Sequence, residues 1–392
     1  MVCPKLSAYN FNLMRVCFLL SYIPNPRMYK RIDLFRRIAE ISVVCIHRTN
    51  QDIYTLRNED VIDYRILDLS LPPSSQILRR YKAFKRIEAF SLNHLLNISP
   101  DIIYLQGLDM LTIAYNYSRQ NNVKIIYEVA DLRESFIKSK KKNIFRRLID
   151  YIICCKEKNL FNCVSQLIVT SAKFYQEHYA SFFPKEKTFE FPNVPNLKVF
   201  SSYVKKERTN NFVVGFIGAI RYLPQMKLLV DVAQELDICV FFAGAGDRDQ
   251  SLEFERYCAG KKNISILGKY NYDEDISRLY QMADCIYSVY DADNPNVRIA
   301  LPNKLYESIF CELPIIVAKN TYLSELVEKY KVGLSVSHNS YNELRNAIIL
   351  LKDDMNLYNE IVDSCRKNKS DIDLEFYNNK MLDLTNSLFV EI

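Results

Sequence analysis

The chain has 392 residues, 49% hydrophobic and 25% charged, the balance of a folded globular protein with room for two domains. No run reaches about 18 apolar residues, which excludes a membrane-spanning helix. Eleven Cys without a CxxC pair, beside only four His, argue against a zinc site and fit a reducing cytoplasm. The net charge of +6 is unevenly divided: residues 1–205 hold 31 Lys+Arg against 18 Asp+Glu, and residues 206–392 hold 21 against 28. The first half is therefore expected to face something anionic, nucleic acid or an acidic lipid surface.

In chain order, "VCFLLSYI" is too short for a signal peptide and runs into Pro24 without a small-residue cleavage site. Met14 directly precedes "RVCFLLSY", so residues 1–13 read as an extension. Short apolar runs at 15–22, 41–47, 101–106, 123–129 and 166–171 predict buried strands, separated by helical patterns near 28–40, 76–97, 109–121 and 142–162. The polar stretch "SSYVKKERTNN" (201–211) reads as a linker. Strands are expected again at 212–218, 238–244, 264–268, 285–290, 314–318 and 333–336, with helices near 225–236, 248–260, 274–282, 304–312, 321–330 and 340–352. Such βα alternation predicts an α/β protein: two Rossmann-like, doubly wound parallel sheets facing a central cleft. The boundaries read as 1–205 and 206–375, with 376–392 a helix returning to the first domain.

Seven of the eight Gly lie beyond residue 214, most of them in or beside the strands of the second half. Gly218 opens the first loop of the second sheet, where glycine permits close backbone approach to a ligand. A nucleotide diphosphate at that sheet would need a helix N-terminus and one or two fixed cations for its phosphates, and a carboxylate for its ribose hydroxyls. "LPNKLYES" (301–308) offers all three parts: Asn303 as a natural N-cap, Lys304 in the first turn and Glu307 one turn on. A Lys at a helix N-terminus is mildly unfavourable unless an anion sits nearby; an ordinary helix start would show the same residues. Arg221 adds a second cation just past Gly218.

The ordered blocks "FVVGFIGAIRYLPQMKLLVDVAQEL", "VFFAGAGD", "NISILGKYNYDEDISRLYQMADC" and "LPNKLYESIFCELPIIVAKN" resemble the donor domain of group-1 retaining glycosyltransferases. "SPDIIYLQGLDML", "NVKIIYEVADLRE", "QLIVTSAKFYQEHY" and "FPNVPN" are similar to that family's acceptor domain. The resemblance implies the GT-B fold, a UDP- or GDP-sugar co-substrate without a further cofactor or metal, and retention of anomeric configuration. It gives Glu307 the ribose, Arg221 and Lys304 the diphosphate and departing nucleotide, and the loop from Gly268 to Tyr270 the base. Lys227 stands near the family's second basic residue, at the wrong spacing.

Three departures stand out. Ile299 occupies the place of the family's other Glu, so sugar contacts are expected from Asn296, Asn294 or Asp293. "SYIPNPRMYK" replaces a glycine-rich first loop, with Arg27 and Lys30 as substitutes or surface charges. Ala130 stands where the family has a His before an acid, leaving Glu128 and Asp131 either to touch sugar or to serve as a cap and a salt bridge. An epimerase on the same fold, or a non-catalytic ligand-binding or partner subunit, are the competing readings.

Residues 138–147, "KSKKKNIFRR", carry six positive charges and no acid. Ile144, Phe145, Leu148, Ile149, Ile152 and Ile153 then recur at helical spacing, and "RRYKAFKR" (79–86) adds to the charge. A basic flank beside an apolar stripe suits an interfacial helix, although the stripe would look the same packed on the sheet. No nucleic-acid-binding motif is apparent. A lipid-linked saccharide acceptor, met from the cytoplasmic side as in bacterial surface-polysaccharide synthesis, is the expected partner.

Overall fold

The computed structural model describes residues 14–49, 56–57, 61–73, 76–132, 144–209 and 211–389. Among them, β1 (Met14–Leu20), β2 (Ala39–His47), β3 (Ile62–Asp68), β4 (Ile102–Gln106), β5 (Lys124–Val129), β6 (Gln166–Val169) and β7 (Thr188–Glu190) form one sheet in the order β3-β2-β1-β4-β5-β6-β7. A second sheet contains β8 (Val213–Ile217), β9 (Cys239–Ala243), β10 (Ile264–Gly268), β11 (Cys285–Ser288), β12 (Ile315–Ala318) and β13 (Gly333–Val336), in the order β10-β9-β8-β11-β12-β13. Every pairing is parallel. Both sheets reverse their strand order beside their first strand, and a crevice opens there at the carboxyl ends of the strands.

Central strands buried on both faces read as unbroken apolar runs. In β1, Cys17 and Leu19 enter one hydrophobic cluster while Val16, Phe18 and Leu20 enter the cluster on the opposite face, as period-2 side-chain alternation requires. The sequence reading missed β3 and β7. β3 is an edge strand with most of its side chains at least partly exposed, and β7 has three residues, so neither carries a long apolar run.

Helix Leu374–Ser387 lies on the first domain, beginning two residues before the expected boundary. Met381 is buried in that domain's core, Tyr377 stacks on Phe191 at 5.7 Å, and Glu375 takes a bidentate ion pair from Arg37 at 2.8 and 2.9 Å. The domains also meet through the short helix Pro295–Ile299. Ile299 is 7% exposed and belongs to the first domain's hydrophobic cluster, although it follows a strand of the second. Its carbonyl accepts from Ser171 Oγ at 2.6 Å. Asn296 Nδ2 donates to Asp131 Oδ1 at 3.0 Å, and Asn296 Oδ1 accepts from the Leu132 N–H at 3.2 Å.

Candidate active site

Three cavities open along the cleft. One of about 550 Å³ is lined by Gly218, Gly244, Tyr270, Tyr272 and Asn303 from the second domain and by Asn25, Arg27 and Lys30 from the first. A second, of about 270 Å³, lies among Arg221, Tyr290, Asn296, Leu301 and Asp131. The third, of about 430 Å³, belongs to the first domain and includes Tyr22, Gln106, Asp109, Glu128 and Asp131. Arg27 lines all three.

The glycine loops build the floor of the largest cavity. A Cβ on Gly244 would stand 1.8 Å from the Gly218 carbonyl oxygen, so the loops after β8 and β9 pack backbone to backbone. Gly218 has φ +153, and a Cβ there would meet Lys304 Nζ at 2.8 Å. The Gly218 N–H donates to Ala243 O at 2.8 Å and the Gly244 N–H to Gly268 O at 2.7 Å, tying the ends of three strands together. Gly268 thus serves the loop through its carbonyl, while Tyr270 reaches the cavity.

Lys304 is 8% exposed and lies beneath the Gly218 loop, its ammonium donating to the Tyr290 hydroxyl and lying 5.2 Å from the ring centroids of Phe216 and Tyr290. The faces of the two rings attract the ammonium electrostatically. Asn303 stands at the helix's N-cap position, but its side chain makes no capping bond, which corrects the sequence expectation. Its Nδ2 instead donates to Glu307 Oε1 at 2.6 Å.

Glu307 is 2% exposed, one layer behind the wall that Asn303 and Tyr272 form. Tyr272 donates to Oε1 at 2.6 Å and Tyr280 to Oε2 at 2.7 Å. Burial first, and the Glu307 charge second, push both phenols well above their ordinary value, so they remain donors. Three of the roughly four lone-pair sites of the carboxylate are occupied by protein. The two tyrosines were not singled out in the sequence. Eight residues apart on one helix face, with hydroxyls that need partners once buried, they carried the signal that could have found them.

Arg221 lines the 270 Å³ cavity and is exposed, on the loop after β8. Lys227 is elsewhere, paired with Glu253 at 2.6 Å between two outer helices. Asn294 caps Pro295–Ile299 by accepting from the Asn296 N–H at 2.9 Å, and neither it nor Asp293 lines the three cavities. Asp291, Asp293 and His338 cluster with ligand-type atoms within 4.8 Å, a grouping that sequence spacing did not suggest.

On the first domain, Glu128 is 1% exposed and sits between two basic partners, Arg31 Nε at 3.3 Å and Arg27 Nε at 3.4 Å, and also accepts from the Tyr104 hydroxyl. It thus pairs with Arg27, which stands at the junction of the cavities. Lys30 Nζ donates to Val194 O at 3.2 Å, and burial pushes its pKa down to about 8, against the charge of Glu307, which raises it. Both basic residues of "PNPRMYK" therefore face the cleft rather than the outer surface.

The segment 138–143 lies outside the described residues. In helix Ile144–Leu160, Leu148, Ile149, Tyr151 and Ile152 are exposed, and Ile153 packs inward. Leu78 and Tyr81 are exposed on helix Ile77–Ile98 beside Arg79, Arg80 and Lys82, and both helices pack against Leu108–Ser118. Among the described residues no helix is long and apolar enough to cross a membrane.

Two facing Rossmann-like domains with a ligand-sized cleft at their switch points are the GT-B arrangement of glycosyltransferases. Residues 201–368 match the family of glycosyl transferases group 1, so the second domain is a group 1 glycosyltransferase domain. No curated protein sequence matches the chain. Among solved structures, Anabaena HepE in complex with UDP aligns at a TM-score of 0.70 with 16% identity, over 95% of this chain and 100% of that one. Sucrose-phosphate synthase from Thermosynechococcus elongatus aligns at 0.72 with 14% identity, over 96% and 99%. WaaG, a glycosyltransferase involved in lipopolysaccharide biosynthesis, aligns at 0.68 with 13% identity, over 94% and 99%. At these identities the likeness is one of fold.

Proposed function

We propose that the protein transfers a sugar from a nucleotide-sugar donor to a saccharide acceptor with retention of configuration. The observation that carries this reading is the meeting of three cavities at Arg27, one at the glycine loops of the second domain and one wholly in the first. The nucleotide would occupy the 550 Å³ cavity, its ribose toward Asn303, Tyr272 and Glu307. Arg221, Arg27 and Lys304 would stabilise charge on the departing diphosphate. The bond from the anomeric carbon to the phosphate oxygen breaks, the bond to the acceptor oxygen forms on the same face, and the acceptor proton passes to the leaving phosphate. Alignment and fixed charge would supply the acceleration. A distinct first-domain cavity favours transfer over epimerisation, which needs no acceptor site.

The test is calorimetry with UDP and GDP, followed by a transfer assay. Binding of at least one nucleotide, weakened at least about tenfold by Arg221→Ala, is the expected result, since one charge-assisted contact contributes about 1.5–3 kcal/mol. Failure of both nucleotides to bind would reject the reading.

The acceptor's lipid end would rest on the membrane against the exposed apolar residues of Ile144–Leu160 and the basic start of Ile77–Ile98. Lipid-linked saccharides of bacterial surface polymers, at the inner face of the plasma membrane, fit such an acceptor. Replacing Leu148 and Ile152 with Ser should release the protein from anionic liposomes in a sedimentation assay. Equal sedimentation of both forms would reject membrane contact.

A further inference from the structure

The 270 Å³ cavity is joined to the 550 Å³ one through Arg27, Asn193 and Ala219, which line both. If the larger takes the nucleotide, as proposed above, the smaller takes the transferred sugar; the inference rests on that reading. About 270 Å³ is room for one monosaccharide.

Part of its wall is apolar. Val297, Ala300, Leu301 and Pro302 line one stretch of wall, and Leu323 adds another apolar side chain. Several of the polar groups on the wall are already engaged. Asn296 spans to Asp131 and Leu132. The Thr321 hydroxyl donates to Ala318 O at 2.8 Å and accepts from the Ser324 N–H at 3.1 Å. Thr170 Oγ1 donates to Ala130 O at 3.1 Å, and the Tyr290 hydroxyl accepts from Lys304.

Asp131 is the one carboxylate among the described lining residues, and its Oδ1 already accepts from Asn296. Ile299, which lies between Val297 and Ala300 in the chain, turns away into the first domain's core and supplies no side-chain acceptor. Ser288 Oγ is buried without a partner and offers a single hydroxyl. A hydroxyl turned toward the stretch of Val297, Leu301 and Leu323 would be buried against carbon, and an unpaired buried hydroxyl is costly.

We infer that the donor sugar carries a methyl group that packs on the wall of Val297, Leu301 and Leu323. Two sources share this chemistry: the methyl of a 6-deoxyhexose and the methyl of an acetamido group. One polar substituent beside it would be met by Ser288.

The experiment compares matched donors by calorimetry: UDP-N-acetylglucosamine against UDP-glucose, GDP-6-deoxymannose against GDP-mannose, and UDP and GDP alone. A methyl-bearing donor is expected to bind at least about fourfold tighter than its hydroxylated counterpart, the factor one buried methyl brings. Which pair shows the gain identifies the source. Val297→Asn, at a half-exposed position, should abolish the gain while leaving the affinity of the free nucleotide unchanged. Leu323→Asn is the second variant, its folding checked by thermal melting. Equal or tighter binding of the hydroxylated sugar in both pairs overturns the inference while leaving the nucleotide site standing. If neither UDP nor GDP binds, the nucleotide reading falls, and this inference falls with it.

Discussion

Glu307→Gln separates a ligand-binding role from a structural one, because the glutamine can satisfy every protein partner of the glutamate. Its amide oxygen takes the place of Oε1 and accepts from Tyr272 and Asn303, now at 2.6 Å each. Its amide nitrogen takes the place of Oε2, and the Tyr280 hydroxyl, 2.7 Å away, rotates from donor to acceptor. The fold should therefore lose no more than about 1 kcal/mol, because the charge assistance lost in three contacts is offset by relief of the cost of burying the carboxylate. A ribose is affected differently. The carboxylate's one unoccupied lone-pair site lies on Oε2, where the glutamine presents a donor, and the negative charge is gone. Loss of one hydrogen bond to a charged acceptor costs about 1.5–3 kcal/mol, or roughly 10- to 150-fold in affinity. Calorimetry with the nucleotide that binds the wild type, alongside thermal melting without ligand, reads both quantities. Unchanged affinity with an unchanged melting temperature would show that Glu307 merely ties Tyr272 and Tyr280 to their helix. A fall of several kcal/mol in stability would refute the reasoning about its hydrogen bonds.

Two further outcomes follow from the same geometry. Lys30, with Glu307, Asp273, Arg27 and Arg31 around it, has its pKa pushed down to about 8 by burial, below the ordinary lysine value. A bound diphosphate favours the ammonium, so binding takes up a proton near pH 8–9, and affinity falls by up to about tenfold per pH unit above 8. Calorimetry in buffers of different ionisation enthalpy measures the uptake; no proton exchange at pH 8.5 would place the anion away from Lys30. Ile299→Ala removes an anchor that is 7% exposed in the first domain's core and should destabilise the protein by about 2–5 kcal/mol in urea unfolding. A loss below about 0.5 kcal/mol would mean that Pro295–Ile299 docks without it.

Much of the fold was legible because its central strands are buried on both faces. Runs such as "ICVFFAG" and "PIIVA" have no reading as half-exposed segments, and all six strands of the second sheet were found from them. β3 escaped because an edge strand half in water keeps polar residues, and Pro295–Ile299 because five residues carry no period. In the site, residue type was enough to nominate Lys304, Glu307, Arg221 and Gly218. It could not tell that Asn303 turns its side chain to Glu307 instead of capping its helix, since a cap and a hydrogen bond one turn on use the same amide.

The sequence by itself determined the two-domain α/β architecture and the group of residues near the glycine loops, because burial and backbone approach leave local marks in residue choice. Only the tertiary structure decided what each charge faces. Arg27 and Lys30 could have been surface residues until the cleft closed over them, and Glu128 could have been without a basic partner until Arg31 met it. Ile299 looked like a lost ligand contact and is an inter-domain anchor, joined to the other half of the chain by Ser171. Such pairings connect residues 97 and 128 positions apart, and no local pattern records a partner at those distances.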